Sequence, residues 1–90
     1  MSEADQYLNK AKILAVKTYN ASEGEYILDE DDVYVVWFCK TLGNWKALVS
    51  TDVVSGLYIE VTHNGAKQET YVDQYEKTEN RVWPDYVVLP

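Results

Sequence analysis

The run Val33–Lys40 (VYVVWFCK) constrains the fold more than any other part of the chain. β-Branched and aromatic residues fill it, and these residue types favour extended backbone on a pleated surface. Strict alternation gives one face made of Val33, Val35, Trp37 and Cys39, and a second made of Tyr34, Val36, Phe38 and Lys40. Both faces are mostly apolar, so the run predicts an inner strand with at least partial cover on each side.

Two further segments predict strands that pair with this one. The turn Thr41–Asn44 contains Gly43 and Asn44, which tolerate left-handed backbone, and the chain returns as 45–50 (WKALVS). This pattern predicts an antiparallel hairpin. The segment 57–63 (LYIEVTH) alternates apolar and polar residues and predicts a third strand.

Residues 66–72 are compatible with either a strand or a helix. Asn64-Gly65 is a strong signal for a two-residue hairpin turn, but that register sets Glu60 against Glu69, which is unfavourable. A helix instead places Tyr71 and Tyr75 at helical spacing. We predict a fourth strand near 67–70 at most, followed by a helix over about 70–80.

Residues 2–19 predict an amphipathic helix. Ser2 and Asp5 have the spacing of a capping box, and Glu3 suits the positive end of the helix dipole. One face of this helix collects Tyr7, Leu8, Ala11, Leu14, Ala15, Thr18 and Tyr19. Ile13 and Val16 lie off that face, so they are either partly exposed or belong to a wide buried stripe.

These elements together predict an α+β fold in a single domain, residues 1–90. A small antiparallel sheet of three to four strands packs with an N-terminal and a C-terminal helix, in the order α-β-β-β-α. The chain contains no repeat and no linker that would separate two domains.

The charge balance limits the classes of partner. Fifteen Asp and Glu stand against eight Lys and Arg, which gives a net charge of -7. The element order resembles that of double-stranded RNA-binding domains, whose second helix meets phosphates with basic residues, but Tyr75–Glu79 (YEKTE) has the wrong charge for that role. We therefore expect no direct contact with nucleic acid, and an unidentified protein partner for which the charge favours a basic character.

No pattern in the chain predicts catalysis, a cofactor or a metal. One His and one Cys cannot build a zinc site of nitrogen and sulfur ligands, and the acidic run Asp29–Asp32 lacks the spacing of an EF-hand loop. His63 has no recognisable nucleophile or orienting partner, which indicates a structural or surface role. Cys39 is expected to be buried as a small hydrophobe. The sequence therefore predicts no catalytic, cofactor or metal residues and a protein that is not an enzyme.

The aromatic residues are the remaining functional candidates. They form either the core or a platform for a partner, and the sequence leaves both alternatives open. The candidate interaction surface consists of Tyr34, Trp37, Phe38, Trp45 and Tyr58. The apolar C terminus, Tyr86–Pro90, is a second candidate, either as an extended edge segment or as an exposed tail.

Location and assembly follow from what the sequence does not contain. No apolar run approaches the length of a membrane span, and the first residues lack a signal peptide's basic and apolar segments. We therefore expect a cytoplasmic protein with no membrane contact. A monomer or a weak homodimer is expected.

Three segments resemble small uncharacterised phage and prophage proteins of Gram-positive bacteria. They are Asp31–Thr51 (DDVYVVWFCKTLGNWKALVST), Tyr58–Gly65 (YIEVTHNG) and Thr70–Lys77 (TYVDQYEK). The resemblance covers roughly residues 30 to 82. It implies a domain of unknown function, a phage origin and expression in the cytoplasm of a bacterial host, and it carries over no activity and no catalytic residues.

Two functional hypotheses remain. The first is a non-catalytic accessory or protein-interaction module that acts through its aromatic residues or its C-terminal tail. The second is an acidic nucleic-acid mimic or inhibitor that binds a basic host or phage protein, which would require carboxylates arrayed at phosphate-like spacing.

Overall fold

Four consecutive strands form one antiparallel sheet, and a single long helix packs across it. The computed structural model describes residues 2–88. The sheet has the order β1-β2-β3-β4, and the predicted α+β fold is confirmed. The elements are α1 Glu3–Ala21, a short 3₁₀ helix Glu30–Asp32, β1 Val33–Thr41, β2 Asn44–Thr51, β3 Leu57–Asn64, β4 Glu69–Glu76 and α2 Asp85–Val88.

α1 begins where the sequence predicts. The Ser2 hydroxyl accepts a hydrogen bond from the Asp5 backbone N–H at 3.2 Å, which satisfies one of the unpaired donors at the helix start. Glu3 and Asp5 lie in the first turn, where the helix dipole favours negative charge. The helix continues to Ala21, slightly beyond the predicted end.

The core lies between α1 and one face of the sheet. α1 contacts all four strands. Its buried residues are Ala11, Ala15, Val16 and Tyr19, so Val16 belongs to a wide buried stripe while Ile13 stays exposed. The other buried core residues come from the strands and from the connection before β1. They are Leu28, Val33, Trp45, Ala47, Val49, Leu57, Ile59 and Val61.

Asn20 fastens the end of α1 to the connection before β1. Its side-chain N–H donates to the Leu28 carbonyl, and its side-chain oxygen accepts from the Leu28 N–H, both at 2.9 Å. Leu28 is itself buried, so water cannot readily take the place of Asn20 as the hydrogen-bond partner of these two backbone groups.

Replacing Asn20 with alanine should therefore lower the free energy of unfolding by about 2 kcal/mol, because both Leu28 backbone groups lose their partner. Urea denaturation followed by circular dichroism measures this change. Asn20→Asp keeps the acceptor for the Leu28 N–H and should lose less. Equal stability of Asn20→Ala and the wild type would contradict the predicted role.

β1 is an edge strand, so the prediction of an inner strand is wrong. Three successive hairpin connections place β1 and β4 at the two edges of the sheet. Both faces of β1 are apolar because α1 packs on one of them while exposed aromatic side chains occupy the other.

A β-bulge in β1 also overturns the predicted alternation. Val35 pairs with Val49 and Trp37 pairs with Leu48, so Val36 is an extra residue in the ladder. After the bulge, Phe38 turns toward α1 and Trp37 turns away from it. Cys39 follows Trp37 onto the outer face and is exposed, which corrects the expected burial of its thiol.

The predicted helix over 70–80 is wrong, because Glu69–Glu76 forms β4 and pairs with β3 along its whole length. Asn64-Gly65 does not close a two-residue hairpin. A four-residue loop separates the closing pair, Asn64 and Glu69. Within the loop the Lys67 N–H donates to the Asn64 side chain at 3.2 Å, and Gln68 adopts a positive φ of 54°.

The C-terminal helix is a short one. α2 covers Asp85–Val88, and Tyr86 within it is largely exposed. Leu89 and Pro90, the end of the predicted apolar tail, lie outside the described residues. Within residues 2–88, no helix combines the length and the apolar character needed to cross a membrane.

Candidate functional site

The sheet face opposite α1, here called the open face, carries exposed aromatic side chains. The pairing register arranges this face in rows that run from β1 to β4. The rows are Tyr34, Ser50, Tyr58 and Tyr75; then Trp37, Leu48, Glu60 and Asp73; then Cys39, Lys46, Thr62 and Tyr71.

The rings of the open face are accessible to a partner. Tyr34, Trp37, Tyr71 and Tyr75 are each between 40% and 53% exposed, and Tyr58 is half-buried among them. Several large exposed rings on one sheet face make that face a candidate site of interaction.

The bulge at Val36 creates this arrangement on β1. Without the extra residue, Phe38 rather than Trp37 would continue the outward alternation from Tyr34. Bulges often re-aim a side chain at functional sites. Because of the bulge, the indole ring of Trp37 lies on the open face and the phenyl ring of Phe38 packs against the core.

A groove of about 480 Å³ lies at the end of the open face nearest the two hairpin turns. Trp37 on β1 and Tyr71 on β4 line the groove, together with Lys46 on β2 and Thr62 on β3 between them. Cys39 also lines this groove. Trp45 and His63 line it as well, so the groove combines several rings with polar side chains that could orient a bound group.

Two carboxylates interrupt the aromatic surface in the middle row. Glu60 on β3 and Asp73 on β4 are direct cross-strand partners, and like charges in this position repel each other. Lys46 relieves Glu60, because its ammonium nitrogen lies 3.6 Å from the Glu60 carboxylate. Among residues 2–88, no lysine or arginine lies within ion-pair distance of the Asp73 carboxylate, and no side chain donates a hydrogen bond to it.

The tyrosine hydroxyls at two ends of the open face meet acidic residues. Tyr71 donates a hydrogen bond to Glu69, and this bond, together with partial burial and the nearby negative charge, raises the pKa of Tyr71 above its ordinary value. Tyr34 donates to Asp52 at 3.5 Å. Each hydroxyl therefore donates to a carboxylate while its ring lies on the open face.

A second aromatic cluster lies on the other side of the sheet. Trp45 packs against Tyr7, Phe38 and His63, with ring centroids 5.6, 6.0 and 5.5 Å away. The His63 Nδ1 lies 2.9 Å from the Thr70 hydroxyl oxygen. This cluster closes the core beneath the start of α1.

The predicted surface residues therefore divide between the two sides of the sheet. Tyr34, Trp37 and Tyr58 come together on the open face, whereas Phe38 is half-buried and Trp45 is 3% exposed on the α1 side. Phe38 faces α1 because the bulge shifts the alternation of β1. Trp45 faces α1 because it alternates on β2 with the buried residues Ala47 and Val49.

Tyr71, Asp73 and Tyr75 belong to the open face but not to the predicted interaction surface, because the sequence analysis predicts a helix in this segment. A signal for them does exist in the sequence. Thr70, Tyr71 and Val72 are consecutive β-branched or aromatic residues, which favour a strand.

The described residues contain no candidate metal site. No group of three or more His, Cys, Asp or Glu within residues 2–88 is placed to hold a metal ion. The chemistry that the open face offers is ring stacking, apolar contact and a few carboxylate and hydroxyl contacts.

Comparison with models of known protein families identifies the family of this chain. A family model matches residues 8–85, which include all four strands and thus every residue of the open face. The chain belongs to the DUF6275 family, a family of unknown function. The open face is therefore part of the DUF6275 domain itself. No curated protein and no solved structure matches the chain.

Proposed function

We propose that this DUF6275 chain is a non-catalytic protein-interaction module, of the phage or prophage type, that acts in the cytoplasm of a bacterial host. The observation that carries the proposal is the set of exposed rings on the open face, two of which, Trp37 and Tyr71, line the groove. Tyrosine and tryptophan are enriched at protein interfaces because they bury much area with little loss of conformational freedom.

The charge of the face favours a protein over a nucleic acid. A base-stacking platform works together with a basic groove that follows the phosphates. Here Glu60 and Asp73 lie in the middle of the face, and the net charge of the chain is -7. Both would repel a phosphate backbone, so the rings are better suited to a protein partner.

The acidic-mimic alternative predicts a different binding surface. Mimicry of a nucleic acid requires carboxylates in a regular array, with few other side chains between them. On the open face the two carboxylates are surrounded by Tyr58, Tyr71 and Tyr75, and Lys46 pairs with one of them. This mixture supports an aromatic interface in preference to a mimic.

The test compares two double variants that each replace one tryptophan and one tyrosine with serine. Trp37→Ser with Tyr71→Ser removes rings of the open face, whereas Trp83→Ser with Tyr86→Ser removes exposed rings of the C-terminal segment. A partner identified by affinity capture from bacterial lysate is then purified and titrated by calorimetry. We expect at least tenfold weaker binding to the first variant and unchanged binding to the second.

Melting curves of both variants check that each remains folded. A partner that binds the open-face variant as tightly as the wild type would overturn the proposal. Loss of binding only in the variant of the C-terminal segment would assign the interaction to that segment instead.

A further inference from the structure

Three residues of β4 form a regular pattern on the open face. Tyr71, Asp73 and Tyr75 alternate along the strand, so a carboxylate lies between two rings at intervals of about 7 Å. On β3 the residues beside them are Thr62, Glu60 and Tyr58. The carboxylate pair thus has three tyrosines among its neighbours on an accessible surface, together with Thr62 and Leu48.

The carboxylate pair lacks one positive charge. Glu60 and Asp73 repel each other across the strands, and Lys46 lies within ion-pair distance of Glu60 alone. A second cation beside Asp73 would relieve this repulsion. Within the described residues, no lysine or arginine pairs with Asp73. A cation from a partner would therefore be stabilised more at this position than beside an isolated surface carboxylate, because two negative charges attract it.

The neighbouring rings select the kind of cation. A guanidinium group is planar, stacks on aromatic faces and can donate two parallel hydrogen bonds to one carboxylate. A lysine ammonium is compact and strongly hydrated, so it gains less from two rings on either side. Tyr71 and Tyr75, at 40% and 53% exposure, leave their faces accessible for such stacking.

We propose, building on the proposed function of the open face, that its partner is a protein segment bearing arginine, whose guanidinium group binds Asp73 between the rings of Tyr71 and Tyr75. Charge complementarity supports a different protein as the source, because this chain has a net charge of -7 and self-association brings like charges together. The one arginine of the chain, Arg81, already donates to Glu79 at 2.9 Å.

The experiment uses two synthetic peptides and the intact chain. One is an acetylated, amidated hexapeptide that alternates threonine and arginine; the other has neutral citrulline in place of each arginine. Amide chemical shifts of the ¹⁵N-labelled protein are followed during titration. We expect at least tenfold tighter binding of the arginine peptide, with the largest shifts at residues 71–75.

Two charge-removing variants on the same strand localise the effect. Asp73→Asn should weaken binding of the arginine peptide at least tenfold, and the fold is retained because the substitution removes a like-charge repulsion. Glu76→Gln removes the same charge from a residue that pairs with Leu57 at the end of β4, in the alternation of the α1 side. It should bind the peptide as the wild type does.

Several results would overturn the inference. These are equal binding of the two peptides, absence of binding by both, or equal binding to Asp73→Asn and the wild type. A dimer that Asp73→Asn and Arg81→Gln both abolish would identify a second copy as the occupant, and preferential binding of an oligonucleotide would identify a nucleic acid. A partner that is lost with Trp37→Ser and Tyr71→Ser but lacks arginine would leave the proposed function standing and reject this inference alone.

Discussion

Trp45→Ala is expected to lower the free energy of unfolding by about 3–5 kcal/mol, the usual cost of removing a large aromatic side chain from a core. Trp45 is 3% exposed, and its ring meets the rings of Tyr7, Phe38 and His63. The truncation removes all three contacts and leaves a cavity between β2 and the start of α1. Guanidinium denaturation monitored by circular dichroism measures the loss.

Trp37→Ala is the matched control. Trp37 lies on the neighbouring strand, but it is 42% exposed on the open face. Its loss should cost clearly less, about 1–2 kcal/mol, since a large part of the ring already contacts water. Equal destabilisation by the two variants would contradict the division of the tryptophans between core and open face.

This division is the part of the site that the sequence could not provide. The residue types of β1 predict a strand, and they do so correctly. The bulge at Val36 is not predictable from them, because Trp37 and Phe38 are both aromatic and neither marks a face by its polarity. A pattern with apolar residues on both sides fits either register equally well.

The edge position of β1 differs from the predicted inner position for a related reason. Two apolar faces normally indicate a strand covered on both sides. In this fold α1 covers one face of β1, and the aromatic residues of the other face stay accessible. An apolar strand that is both exposed and at an edge contradicts the usual pattern, and such departures occur at functional sites.

β4 shows the limit of local pattern reading. The spacing of Tyr71 and Tyr75 suits a helix, yet the β-branched and aromatic run Thr70–Val72 suits a strand. Pairing with β3 along eight residues decides between them. That interaction is formed only after the chain reverses at Asn64–Glu69, so a local window does not contain it.

Gly65→Ala is the second substitution expected to have a large effect. A Cβ added at Gly65 would lie 2.2 Å from the carbonyl oxygen of Gly43, closer than two such atoms can approach. Gly43 belongs to the β1–β2 turn and Gly65 to the β3–β4 loop, so the two hairpin ends touch backbone to backbone. The Gly65 N–H also donates to the Asn44 side chain at 2.9 Å, which holds this contact together.

The alanine must push the two turns apart, and we expect the free energy of unfolding to fall by about 2–3 kcal/mol. Gly43→Ala is the control, because a Cβ there meets its nearest neighbour at 3.9 Å and should be tolerated. Asn44 and Asn64 line the groove beside these turns, so Gly65→Ala should also shift the amide resonances of groove residues such as Thr62 and Tyr71. Denaturation and an amide spectrum of the two variants measure both effects. Equal stability of Gly65→Ala and Gly43→Ala would show that the two turns do not support each other, and the groove would then depend on the strands alone.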